Sequence, residues 1–270
     1  MAMDTHPFDQ AIDLQPRSEG VWQASTHPAY ANMVGPFGGI TAAQALQAVL
    51  LHPQRLGEPI SLTVNFCAAV ADGAFEVHAR PARTNRSTQH WLIELRQAHA
   101  TVMTATAVTA LRRETWGVDE EPMPHCPPPE DCLPPAVHAP LPFTRAFEYR
   151  PVTGHWPGVW DGSGDTSLSQ IWVRDLPARA LDFASLACIS DIFFPRLFIR
   201  RATLVPVGTV SMTVYFHAGS AQLQRTGDGY LLGQARAQAF RNGFFDQSSQ
   251  LWDRRGVLLV TTHQIVYYKQ

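Results

Sequence analysis

The chain has 270 residues, 45% hydrophobic and 16% charged, with a formal net charge of −2. This composition supplies an ample core and excludes a disordered chain, and it lacks the basic stripe that nucleic acid or an anionic membrane surface would require of a partner. No run of 18 apolar residues marks a membrane span, and Met1-Ala-Met-Asp-Thr-His-Pro7 lacks the basic-then-apolar order of a secretion signal, so a cytoplasmic protein is expected.

The first predicted element is a helix over Ile40–Leu51, beginning after Gly38-Gly39 and stopping before Pro53. It is apolar almost all round, which marks a buried helix rather than an amphipathic one. Next, Leu62-Thr-Val-Asn-Phe-Cys-Ala68 alternates, with Leu62, Val64 and Phe66 on one face, as a half-buried strand does. Phe75–Arg80, Gln89–Leu95 and Thr101–Val108 read as further strands, separated by loops with Gly, Asp and Asn suited to hairpins. The segment Glu114–Pro142 then carries nine prolines. Each removes a donor and fixes φ, so neither helix nor central strand runs through it. It reads as a connector between units spanning residues 1–113 and 143–270.

The second unit repeats the first. A helix is predicted over Leu181–Phe194, with Asp182 as N-cap and Pro195 as its stop. Met212-Thr-Val-Tyr-Phe-His-Ala218 matches Leu62–Ala68 at an offset of 150 residues, and Tyr230–Arg236 and Val257–Val266 follow as strands. Each half therefore reads as an early strand, one apolar helix, and a meander of antiparallel strands. A helix of roughly 13 residues spans about 20 Å, which one sheet can wrap. The expected fold class is α+β: a tandem double hotdog, each half an antiparallel sheet curled around one helix.

The four cysteines suit a reduced protein. Cys67 and Cys188 lie in apolar runs and read as small buried hydrophobes. Cys126 and Cys132, with His125 and His138 nearby, match no usual zinc spacing, and no metal is expected.

Three segments carry a resemblance. Gly35-Pro-Phe-Gly-Gly-Ile-Thr-Ala-Ala-Gln-Ala-Leu46, Ala187-Cys-Ile-Ser-Asp-Ile192 and Gly256-Val-Leu-Leu-Val-Thr-Thr-His-Gln264 are similar to the acyl-CoA thioesterase II family of double-hotdog enzymes. The likeness runs from about Gly20 to Tyr268 and omits the connector. It implies a water held by Asp191 at the second helix, Thr209 on the following strand and Gln264 on the last strand. It also implies an acyl-CoA substrate, a role in fatty acid metabolism, no cofactor beyond the coenzyme A of the substrate, and a homo-oligomer, dimer or tetramer. Exposed sheet edges point to association as well.

The chemistry fits these residue types. Thioester hydrolysis needs an activated water and prealigned donors for the oxyanion. The thiolate leaves without much help, because a thiol is already moderately acidic. One carboxylate with neutral hydrogen-bonding partners suffices, and the chain has no G-x-S-x-G elbow to supply a serine nucleophile. Asp191, predicted in the last turn of an apolar helix, opposes the helix dipole and needs compensation there. An aspartate near a helix end ordinarily faces solvent; its neighbours Cys188, Ile189, Ile192 and Phe193 argue otherwise. Strict alternation sets Thr209 with Ser211 and Thr213, opposite Met212, so it joins the site only through a bulge or a late strand start. Gln44, Pro59 and Ala107 take the corresponding places in the first half, leaving one site in the pair.

Gly38 and Gly39 open the first helix, where free N–H groups favour negative charge; the expectation is that one of them donates to the thioester oxygen, against the plainer reading of a tight turn. The clusters Arg83, Asn85, Arg86 and Arg196, Arg200, Arg201 read first as solvated loops and second as contacts for coenzyme A phosphates. His90, His217, His263, Trp156 and Trp160 read as structural. Phe193, Phe194, Leu197 and Phe198 read as either core or tunnel lining. The alternative functions are a non-catalytic acyl-CoA or fatty-acid binder and, last, a hydratase, which would pair the aspartate with a histidine that this helix lacks.

Overall fold

The structure is a computed structural model describing residues 5–135, 140–154, 161–162, 164–201 and 203–269. The first half contains helix α1 (Pro7–Ala11), strands β1 (Gln15–Ser18) and β2 (Val21–Ser25), helix α2 (Gly38–Leu50), and strands β3 (Glu58–Phe66), β4 (Ala74–Thr84), β5 (Thr88–Gln97) and β6 (Ala100–Ala110). The second contains β7 (Phe147–Thr153), β8 (Ser169–Asp175), helices α3 (Phe183–Ile189) and α4 (Arg196–Arg200), β9 (Val207–Phe216), helix α5 (Ser220–Thr226), and strands β10 (Leu231–Arg236), β11 (Phe240–Arg241), β12 (Phe244–Trp252) and β13 (Leu258–Tyr268).

All strands join one antiparallel sheet, in the order β1-β2-β4-β5-β6-β3-β9-β13-β12-β10-β8-β7, with β11 beside β12. The halves meet where β3 pairs with β9. Thr63 lies opposite Thr213 at the centre of that pairing, and their hydroxyls bond to each other at 3.0 Å across 150 residues of sequence. The repeat offset read from the sequence is thus the pseudo-twofold relation of the fold. Leu62, Val64, Met212 and Val214 turn inward and are fully buried. Helices α2 and α3, wrapped by the sheet and packed on each other, are buried along nearly their whole length. This is the tandem double hotdog. The cause is the absence of any polar stripe that would let either helix face water.

Several elements differ from expectation. Helix α3 stops at Ile189 rather than Phe194. Asp182 caps its start by accepting from the Ser185 amide, as expected. At its end the Ser190 hydroxyl donates to Leu186 O and the Asp191 amide to Cys188 O, which tightens the chain out of the helix. Pro195 then serves as N-cap of α4 instead of ending a long helix. Cys67 is exposed, because the chain has left β3 by then, whereas Cys188 is buried.

The proline-rich segment is irregular but tied down. The indole N–H groups of Trp172 and Trp252 donate to Pro127 O (2.9 Å) and Glu121 O (3.2 Å). Met123 and Cys126 pack against Cys132, Trp172, Tyr230 and Leu232. His138, Trp156 and Trp160 lie outside the described residues.

Candidate active site

Asp191 stands just past the C-terminal end of α3, partly shielded from solvent, and points at the N-terminal end of α2. Its Oδ1 accepts a 2.8 Å hydrogen bond from Gln264 Nε2, and it also accepts from the Gly39 backbone amide. The Gln264 Oε1 in turn accepts from the Thr209 hydroxyl at 3.3 Å. The structure therefore brings together Asp191, Gln264, Thr209 and Gly38-Gly39, which form the first residues of α2 rather than a turn before it, so the site draws on both halves.

Local features explain each placement. Gln264 lies on the inward face of β13, directly across from Met212, and is 2% exposed. Thr209 reaches the same face through a bulge: Ser211 pairs with Ile265 and Thr209 with Val266, so Val210 is left over. The repeat carries the same bulge, where Ser61 pairs with Val108 and Pro59 with Thr109, leaving Ile60. A shared register shift makes Pro59 the counterpart of Thr209, and the pairings Leu62–Ala107 and Met212–Gln264 make Ala107 the counterpart of Gln264. Counting from the helix caps Phe37 and Asp182, the counterpart of Asp191 is Leu46 rather than Gln44. Gln44 is buried and its amide is engaged by Ala11 O and Ser25 O. The first half thus lacks all three polar groups.

The glycines permit the close approach of the halves. A Cβ on Gly38 would lie 2.7 Å from Asp191 Oδ2, and one on Gly39 would collide with Cys188 O. The amides opening α2 carry the positive end of the helix dipole and complement the carboxylate. Burial nevertheless dominates: it raises the Asp191 pKa to about 7, against the opposing bonds from Gln264 and Gly39. A carboxyl that titrates near neutrality beside two neutral donors suits a general base.

Other candidates fall elsewhere. His90 and His263 are exposed strand residues, His217 is exposed just past the end of β9, and Arg83, Asn85, Arg86 and Arg201 are exposed. Arg196 is not solvated: it is 1% exposed, with its guanidinium bonded to Phe194 O, Ser167 O, Ala235 O and Ser169 Oγ. Among the described residues no group of three or more His, Cys, Asp or Glu is placed to hold a metal. One residue beside the site escaped the sequence reading. Gln247, on β12, lies across from Gln264 and is buried. The alternation of Phe245, Gln247, Ser249 and Leu251 was the available signal; only the strand register shows what Gln247 adjoins.

Residues 129–268 match the model of the acyl-CoA thioesterase C-terminal domain, and residues 27–110 match that of its N-terminal domain. The chain belongs to this acyl-CoA thioesterase family. A conserved hotdog protein of unknown function from Alicyclobacillus acidocaldarius is similar over 98% of this chain and 99% of its own, at 44% identity and a TM-score of 0.94. A TesB protein of Mycobacterium avium subspecies paratuberculosis shares the fold (TM-score 0.78, 19% identity, 98% and 100% of the two chains). So does the acyl-CoA thioesterase II TesB2 of Mycobacterium marinum (TM-score 0.76, 17% identity, 97% and 98%). No curated protein matches the sequence. No helix of the described chain is long and apolar enough to cross a membrane.

Proposed function

We propose that this thioesterase-family chain hydrolyses acyl-CoA thioesters to free acid and coenzyme A, without a cofactor, using a water activated by Asp191. The observation that carries the reading is the linked set Thr209–Gln264–Asp191 facing the start of α2, with the Asp191 pKa at about 7. In this reading the carboxylate takes a proton from water as the oxygen attacks the thioester carbonyl. The tetrahedral adduct collapses with loss of the coenzyme A thiolate, and the proton on Asp191 passes to the thiolate. Gln264 orients the carboxylate and Thr209 orients Gln264, so a substituted Thr209 acts at one remove. Gly39's amide is already engaged by the carboxylate, which leaves Gly38's amide to meet the developing oxyanion.

Thiol release from a panel of acyl-CoAs, short to long and aromatic, tests the proposal. Release by the wild type supports it; tight binding with no release moves the chain to the acyl-CoA binder. Because the base must be ionised, log kcat/KM is expected to rise with unit slope below about pH 7 and level off above it. A flat profile from pH 5 to 9 would contradict a base with this pKa.

Gln264→Leu removes the donor to Asp191 and leaves Thr209 without its acceptor. Turnover is expected to fall about 100-fold or more, with Thr209→Ala falling roughly tenfold, as the more distant member. Equal losses in the two variants would show that Thr209 contacts the water itself.

A further inference from the structure

The inward faces of the two halves differ in chemistry, and the strand register makes the comparison residue by residue. On the C-terminal half, the row beside Asp191 is Gln264 and Gln247, and the next row is Thr262, Ser249 and, two strands on, Ser169. All five are at most 6% exposed. The first-half counterparts of Gln264, Gln247, Thr262 and Ser249, by the same pairings, are Ala107, Trp91, Ala105 and Ile93. One half packs its helix with an apolar floor; the other presents a buried polar floor at the candidate site.

Most of that floor is satisfied internally. Ser249 and Thr262 bond to each other, and Ser169 Oγ accepts from Arg196. Gln247 is the exception. It is 2% exposed and makes no side-chain hydrogen bond among the described residues, but it is not one of the fully enclosed unpaired groups there, so its amide still meets open space. Buried amides are ordinarily paired, so an open one beside a reactive centre calls for a ligand group. Beyond it, Arg196 closes the far side over Ser169 and Ala235, its hydrogen bonds going only to neutral acceptors. Phe193 and Phe194 link Asp191 to that arginine along the chain, and both, with Arg196, line a small cavity above Ser169 and Ile171.

We propose, on the reading that Asp191 hydrolyses acyl-CoA, that the acyl group of this protein's substrate carries an oxygen substituent, hydroxyl or carboxylate, a few atoms from the thioester, and that the Gln247 amide recognises it. A plain alkyl chain would bury the amide with no partner; an oxygen there supplies one. Gln247 is thus a specificity residue, not part of the hydrolytic set. A site built to bond a substrate oxygen discriminates strongly against the analogue without it.

The test compares butyryl-CoA, 3-hydroxybutyryl-CoA and succinyl-CoA with wild type and Gln247→Met, which keeps length and flexibility without the amide. The wild type is expected to favour one of the oxygenated substrates by about tenfold or more in kcat/KM, and the variant to lose that preference while keeping butyryl-CoA turnover. Preference for succinyl-CoA would locate the carboxylate toward Arg196; preference for the hydroxyacyl substrate would leave recognition to Gln247. Equal turnover of all three by the wild type, or an equal loss on all three in the variant, would overturn the proposal. Calorimetric binding of the thioethers S-butyl-CoA and S-(3-hydroxybutyl)-CoA, with S-(3-carboxypropyl)-CoA, reports the same selectivity in wild type without any hydrolysis. A protein that cleaves no thioester but separates these ligands would lose the hydrolytic reading and keep this one; one that cleaves all alike would do the reverse.

Discussion

Asp191→Asn is expected to reduce thiol release by about a thousandfold or more while making the folded protein more stable at alkaline pH. General-base catalysis by a positioned side chain contributes about 10²–10⁴-fold, and the amide cannot take the proton. The stability effect follows from the same carboxyl. Its pKa is about 7 in the fold, above the 3.8 of a solvated aspartate, and burial is the cause. Folding therefore favours the protonated form. The stabilisation attached to this group is fully present below about pH 4 and is lost as pH rises through 7. One pKa unit corresponds to about 1.4 kcal/mol. Allowing for the solvent that Asp191 still meets and for its two hydrogen bonds, the ionised side chain destabilises the fold by about 1–3 kcal/mol at pH 8. Asparagine carries no such charge, and its Oδ1 still accepts from Gln264 Nε2. Thermal unfolding at pH 8 should show the variant several degrees above wild type, with the gap closing toward pH 4. A variant with full turnover would remove Asp191 from the chemistry. One that is inactive and also less stable at pH 8 would mean that the carboxylate is held for structure.

Gly39→Ala is expected to damage the fold itself. The added methyl would meet Cys188 O and lie 2.5 Å from the Phe37 ring. Neither yields easily: the first is backbone at the end of α3, and Phe37, 3% exposed, is stacked on Phe143 at 4.4 Å. The two helices must separate, and loss of about 1–3 kcal/mol is expected, with loss of activity as Asp191 moves from its donors. Gly38→Ala differs instructively. Its methyl would face Asp191 Oδ2 at 2.7 Å and the Phe66 ring at 3.3 Å, both ends of side chains that can turn. The expected result is a small change in unfolding temperature but a fall in turnover of about 100-fold, since a shift of about 1 Å in a reacting group has that effect. Comparable unfolding temperatures for Gly39→Ala and wild type would refute the close approach of α2 and α3.

The division between sequence and tertiary structure can be followed residue by residue. Period-two alternation identified β3 and β9 and put Leu62, Val64, Met212 and Val214 inside, because burial of one strand face is a local pattern. The match of Leu62–Ala68 with Met212–Ala218 located the pseudo-twofold, which the Thr63–Thr213 contact embodies. The mostly apolar runs, without a polar stripe, announced α2 and α3 as buried helices. The three polar residues were legible only through the family likeness and the internal repeat. Other features depended on partners far away in the chain. Helix α3 ends at Ile189 where apolar periodicity would continue it, because Asp191 turns toward amides some 150 residues earlier. Thr209 changes faces through one unpaired residue, where alternation left a bulge and a late strand start equally open. Arg196, a solvated loop residue by composition, is buried against four acceptors from the surrounding loop and strands. Gln247 gained meaning only once β12 was in register with β13. Periodicity tells which side chains leave water; which group each then meets is decided by non-local packing, and the candidate site is made of such meetings.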